Sequence, residues 1–175
     1  MIQISLIGPS GVGKTTVSKL LAKYFNIEYV SLDSLRALQY GPQLDEAGIN
    51  RYSEEGNLYI VQNVLQVHQN EDCILDFGSQ NCAYKEEKHF NEFHELVQQI
   101  PNVVLLLPSA DFTEGDLILR NVNARSRLLN EDMVRFYSDE HRVIFESNPL
   151  VAEYTVHTIG LSPDEITDRI VSIVK

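Results

Sequence analysis

The sequence predicts an α/β protein in which a parallel sheet is covered by helices on both faces, as a single domain over residues 1–175. Three observations predict it. Short apolar runs alternate along the chain with segments of helical periodicity, the pattern of a parallel sheet with right-handed crossovers. The run Val103 to Leu107 (VVLLL) is apolar without a break, which suits a strand buried on both faces. A length of 175 residues suits one core, since a domain takes roughly 150 residues.

The elements follow in order. Ile2, Ile4, Leu6 and Ile7 form a short strand that stops at Gly8-Pro9-Ser10-Gly11. From Lys14 to Phe25, Val17, Leu20, Leu21 and Tyr24 recur at helical spacing, and Asn26 can end that helix. Glu28 to Val30 reads as a second strand, followed by a helix near Asp33 to Tyr40 that Gly41-Pro42 terminates. A longer helix is expected over Ser53 to Gln69, a third strand over Cys73 to Phe77, and a helix over Glu86 to Ile100. After the VVLLL strand, helical spacing covers Phe112 to Leu129 and Asp132 to Phe145. Tyr154 to Thr158 is the fifth strand, and Ser162-Pro163-Asp164-Glu165 opens the last helix with a cap, a first-turn proline and acids at the positive end of the helix dipole.

Composition narrows the function. At 43% hydrophobic and 22% charged residues the chain is an ordinary globular protein. Fourteen Lys and Arg against 25 Asp and Glu give a net charge of −11, which repels nucleic-acid phosphates and anionic lipid, so neither partner is expected. Cys73 and Cys82 form no Cys-x-x-Cys and have no His at ligand spacing, and read as reduced thiols. The N-terminus lacks the basic start and cleavage site of a signal peptide, and no apolar run approaches the roughly 18 residues of a spanning helix. A cytoplasmic location is expected, with a monomer favoured slightly.

Gly8-Pro9-Ser10-Gly11-Val12-Gly13-Lys14-Thr15 satisfies G-x-x-x-x-G-K-[ST] between a strand and a helix. Glycines let the backbone fold around phosphates, and the new helix presents its positive end to them. Ser10, Gly11, Val12, Gly13 and Thr16 are expected to hold the phosphates of ATP, Lys14 to reach its β and γ groups, and the Thr15 hydroxyl to coordinate Mg²⁺. Asp76 ends the third strand, where a carboxylate can hold that metal or cap the next turn. Asp33, just past the second strand, can orient an attacking hydroxyl or cap its own helix, and Arg36 can bind an acidic acceptor or form a surface ion pair. Five of the eight arginines fall between Arg120 and Arg142, and Leu117 to Asn130 holds three of them with no acid. Arg120 and Arg127, two helical turns apart, can face one anion from a lid or lie on a solvated face. The five histidines show no ligand pair, and the Tyr and Phe residues read as core.

With these motifs, the chain resembles the shikimate kinase group of the nucleoside monophosphate kinase-like P-loop proteins over nearly its whole length. The resemblance implies a three-layer P-loop NTPase fold, sheet order 2-3-1-4-5, an acceptor-binding region at about 31–60 and an arginine-bearing lid at about 117–135. It implies that Asp33, matching the second acid of an Asp-x-Asp motif, binds substrate hydroxyls. It also implies that Arg120 contacts nucleotide and Arg127 is the catalytic lid arginine. Asn148-Pro149-Leu150 is similar to the family's Arg-x-Pro-Leu-Tyr segment, and Glu54-Glu55-Gly56 resembles an acidic stretch before a substrate arginine.

The departures concern substrate. Ser31 replaces the first acid of Asp-x-Asp, Leu58 and Ser147 stand where carboxylate-binding arginines are expected, and the Gly-Gly-Gly substrate loop becomes Asp76-Phe77-Gly78, leaving Gly78. Shikimate is therefore not the expected acceptor, although Arg36 or Arg51 can substitute. Asp33-Ser34-Leu35-Arg36 is also similar to the Gly-Asp-x-Leu-Arg segment of adenylate kinases, whose arginine holds the acceptor phosphate. The expected function is Mg- and ATP-dependent phosphoryl transfer to a small acceptor. The alternatives are a nucleoside monophosphate kinase-like enzyme and a nucleotide-binding switch without kinase activity.

Overall fold

The computed structural model describes residues 1–35, 53–127 and 131–174, with backbone alone for 124–127 and 131–134. Five parallel strands form one sheet: β1 (Gln3–Ile7), β2 (Glu28–Ser31), β3 (Cys73–Asp76), β4 (Asn102–Leu107) and β5 (Tyr154–His157), in the order β2-β3-β1-β4-β5. The helices are α1 (Lys14–Phe25), α2 (Glu54–Val67), α3 (Glu87–Val97), α4 (Phe112–Arg127), α5 (Glu131–Ser147) and α6 (Pro163–Ile173). None is long and apolar enough among the described residues to cross a membrane.

Side-chain alternation along the strands separates two apolar layers. Val103, Leu105 and Leu107 of β4 pack toward Val61 of α2, Phe93 of α3 and Ile144 of α5. Val104 and Leu106 point the other way, toward Val17 and Leu21 of α1 and Ile166 and Ile170 of α6. The unbroken VVLLL run is thus buried on both faces, as its pattern predicts.

The helix ends follow local chemistry. Asn26 closes α1 in the left-handed region at φ 54, a conformation that asparagine tolerates. Ser53 caps α2 by accepting from the Gly56 N–H at 3.1 Å, and Ser162 with Glu165 makes a reciprocal capping box on α6. Helical spacing overruns the end of α3, because Gln99 and Ile100 bond back to the carbonyls of Leu96 and Val97, closing tighter turns instead of continuing the helix. Phe77, expected inside β3, lies one residue past it, although its N–H still reaches the Leu6 carbonyl at 3.1 Å. The helix expected near Asp33 to Tyr40 is described for residues 32–35 alone.

The register sets the site. Asp76 of β3 lies beside Leu6 of β1 on one side and Ser31 of β2 on the other, so one carboxylate stands at the carboxyl end of the sheet where β1 feeds its glycine loop.

Candidate active site

Between β1 and α1 the backbone turns through conformations that L side chains rarely adopt, with φ of 141 at Gly8, 86 at Gly11 and 101 at Gly13. A Cβ on Gly8 would also collide with the Leu106 carbonyl of β4. This loop forms one wall of a cavity of about 410 Å³. Ser10, Gly11, Gly13, Lys14, Thr15 and Thr16 all line it. Val12 differs: it does not line the cavity, and its side chain is buried with Val17 and Leu119. The Lys14 ammonium is buried and donates to the carbonyls of Gly8 at 2.7 Å and Pro9 at 2.9 Å.

Asp76 enters the same cavity from the end of β3. Its Oδ2 accepts from the Thr15 hydroxyl at 2.7 Å and the Tyr29 hydroxyl at 2.9 Å. Burial raises the Asp76 carboxyl above its ordinary 3.8, against the opposing pull of the two hydroxyl bonds and of Lys14. Burial and the adjoining Asp76 together push the Tyr29 phenol up to about 12, so it stays a protonated donor. A buried carboxylate beside a hydroxyl offers hard oxygen ligands and negative charge short of compensation, and this donor set fits Mg²⁺.

Asp33 and Gly78 line the same cavity. They are pressed so closely together that a Cβ on Gly78 would overlap the Asp33 carboxylate. A larger residue at 78 would therefore force the Asp33 carboxylate to move. Sequence reasoning missed Ser79, Gln80 and Tyr137, which complete this part of the lining, as well as Tyr29 behind Asp76. Gln80 carries no motif. Tyr137 reads as a core aromatic, yet it faces the cavity beside the exposed Phe136.

The arginines divide differently from expectation. Arg120 does not line the cavity: its Nε pairs with Asp116 at 2.6 Å, and a terminal nitrogen donates to the Ser138 hydroxyl at 2.7 Å. The acid-free window beginning at Leu117 excluded Asp116, which lies one turn before Arg120 and therefore within reach. Asp116 also accepts from Ser138 and contacts His141 Nδ1 at 3.0 Å, clasping α4 to α5. Asn123, unremarked in the sequence, donates to the Ser10 carbonyl at 3.2 Å and joins α4 to the loop. Arg127 has a described backbone but its side chain lies outside the described residues, as do Arg36 and Arg51 entirely. At the two other departures, Leu58 is buried in the apolar layer and the Ser147 hydroxyl donates to the Val143 carbonyl at 2.7 Å. Both cysteines are free and buried, and burial pushes the Cys82 thiol up to about 11, which disfavours its reactive thiolate.

Comparison with known proteins agrees with this geometry. The family described as "ATPase family associated with various cellular activities (AAA)" matches residues 4–131. A shikimate kinase of Vibrio parahaemolyticus is 26% identical over 176 residues, covering 98% of this chain and 95% of that enzyme. A cytidylate kinase of Clostridioides difficile is 31% identical over 101 residues, covering 57% of this chain and 41% of that enzyme. The structure of shikimate kinase from Acinetobacter baumannii in complex with shikimate superposes with a TM-score of 0.73 at 20% identity, over 99% of this chain and 92% of that one. A complete phosphate-binding loop, the sheet order 2-3-1-4-5 and these likenesses lead to one conclusion: the chain belongs to the ATPase family associated with various cellular activities (AAA), as an ATP-dependent phosphotransferase with the shikimate kinase-like P-loop fold.

Proposed function

We propose that this protein transfers the γ-phosphoryl group of ATP to a hydroxyl group of a small acceptor other than shikimate. The observation that carries the reading is the 2.7 Å bond between Thr15 Oγ1 and Asp76 Oδ2, in a cavity that Lys14 and Asp33 also line. In the reaction the bond from the γ-phosphorus to the ADP oxygen breaks, a bond to the acceptor oxygen forms, and the acceptor proton leaves. The loop amides and Lys14 hold the phosphates, with Thr16 in the first turn of α1. Thr15 and Asp76 would hold Mg²⁺, which when bound neutralises charge on the β and γ oxygens. Asp33 orients the hydroxyl and receives its proton. Arg127 stabilises the transferring charge, Arg120 joins the nucleotide by exchanging Asp116 for phosphate, and Arg36 contacts the acceptor. On this reading the protein acts in the cytoplasm on ATP and a small-molecule acceptor, without a nucleic-acid or membrane partner.

The test is acceptor-dependent ADP release from Mg-ATP, with Lys14→Ala as blank. Asp33→Asn should preserve ATP affinity and abolish transfer, and unchanged turnover in that variant would remove Asp33 from the mechanism. The similarity to cytidylate kinase favours a second reading, a nucleoside monophosphate acceptor, so nucleoside monophosphates belong in the same assay. Slow hydrolysis indifferent to every acceptor would point instead to a nucleotide-dependent switch.

A further inference from the structure

Tyr29 carries a hydroxyl that the packing of its ring does not require. On β2 it pairs in register with Ile74 of β3, so it shares a face of the sheet with Ile74 and, two residues on, with Asp76. The ring packs against the apolar layer that contains Ile74, Val17 and Leu21, and the Lys19 ammonium of α1 lies 5.5 Å from its centroid, within cation–π range. A phenylalanine would meet the same neighbours. From this diagonal position the hydroxyl donates to Asp76 Oδ2 at 2.9 Å. Thr15 donates to the same oxygen at 2.7 Å, so neither bond occupies Oδ1. Asp76 is only 4% exposed, and a carboxylate so far from water depends on protein donors for its solvation and its orientation.

Resting on the reading of Asp76 as a Mg²⁺ ligand, we propose that Tyr29 is a positioning residue for that metal, its hydroxyl holding the Asp76 carboxylate in the orientation from which it takes up the cation together with ATP. The two hydroxyls on Oδ2 have different tasks. Thr15 lines the cavity and is itself an expected ligand, whereas Tyr29 does not line the cavity and acts through Asp76. Partners that hydrogen-bond a ligating carboxylate fix its orientation, and losing one weakens metal binding although no ligand has been removed. A donor is useful in this way when its own place is set beforehand. The pairing of β2 with β3, the apolar layer and Lys19 set the place of the Tyr29 ring before any ligand arrives.

The experiment measures binding rather than turnover. Mn²⁺, a paramagnetic substitute for Mg²⁺, is titrated into the full-length protein saturated with a non-hydrolysable ATP analogue, and free Mn²⁺ is read by electron paramagnetic resonance. The parent, Tyr29→Phe, Asp76→Asn and the double variant are compared, with the affinity for the analogue in EDTA and the melting temperature measured alongside. Tyr29→Phe keeps the ring and should weaken Mn²⁺ binding by up to about tenfold, the low end of the usual cost of losing such a partner, with metal-free nucleotide affinity unchanged. In the Asp76→Asn background it should add nothing, because its effect passes through the carboxylate. Mn²⁺ affinity unchanged in Tyr29→Phe but weakened in Asp76→Asn overturns the inference and keeps Asp76 as a ligand. Unchanged affinity in both variants overturns the metal reading of Asp76 and the inference with it. An equal loss of metal-free nucleotide binding in Tyr29→Phe, or a loss of Mn²⁺ binding that persists undiminished in the double variant, overturns the inference by showing that Tyr29 acts elsewhere in the fold.

Discussion

The glycine-loop side of the cavity takes Ser10, Gly11, Gly13, Lys14, Thr15 and Thr16 from one short stretch, whereas Asp33, Gly78, Gln80 and Tyr137 come to its lining from three separate parts of the chain. The difference shows in how each is held. On the phosphate side the backbone itself makes the site, through positive φ at glycines and the start of α1. Around Asp33 the lining depends on side chains meeting across elements, as in the contact between Gly78 and Asp33. Asp76 stands at the border, held by Thr15 from one side and Tyr29 from another.

Four changes sharpen or break this division. The largest effect is expected from Lys14→Ala, which should lower kcat for phosphoryl transfer by about 10²–10³-fold, the usual cost of removing one preorganised group that stabilises developing charge. ADP release checks it, and a variant retaining near-normal kcat would place the phosphate contacts elsewhere. Next, Gly78→Ala should displace Asp33 and lower kcat/KM for the acceptor by about 10–100-fold, since a shift of roughly 1 Å can cost that much. ATP affinity, read by nucleotide titration, should stay constant; an equal loss of ATP binding would show that the two sides are not separable.

Asp76→Asn addresses the border. Burial raises the folded-state pKa of Asp76, so the folded chain holds its proton more tightly than the unfolded chain does. Its contribution to stability therefore falls as pH rises from the ordinary 3.8 toward the raised value. The variant should flatten this part of the pH dependence, melt no lower than the parent at neutral pH, and bind Mg²⁺ about tenfold more weakly. Thermal melts with and without Mg²⁺ decide it: a lower melting temperature in the metal-free variant would mean that the hydrogen bonds of Asp76 outweigh the burial of its charge.

The smallest effect should come from His141, away from the cavity lining. Burial lowers its pKa below the ordinary 6.5 despite Asp116, so the folded chain resists a proton that the unfolded chain accepts. Stability should consequently fall as pH drops below 6.5, and His141→Gln should weaken that dependence. Urea unfolding at several pH values measures it. An altered affinity for ATP would tie the α4–α5 clasp to the phosphate side.

The legibility of the chain follows the same division. The glycine loop, the unbroken apolar run of β4, Asn26 closing α1 and the Ser162 cap of α6 are each set by neighbouring residues, and all were readable. Asp33, Asp76 and Gly78 were readable as candidates because strand ends and glycines in a parallel sheet lie near ligands. Arg120 shows the failure: counting charges from Leu117 omitted Asp116, and the distant Ser138 could not be seen as a partner. Tyr137 has the same spacing as a core aromatic, and periodicity cannot distinguish a helix face turned to the sheet from one turned to a cavity.

The sequence by itself determined the phosphate-binding loop, the alternation of strands and helices and the double burial of the central sheet, because these depend on backbone conformation and on the periodic placement of apolar groups. The tertiary structure alone decided which side chains line the cavity with Asp33, that Asp116 clasps α4 to α5, and that Gln80 also lines a second, smaller cavity. Those contacts join residues tens of positions apart, and local chemistry carries no record of a distance that arises when the sheet and its covering helices pack together.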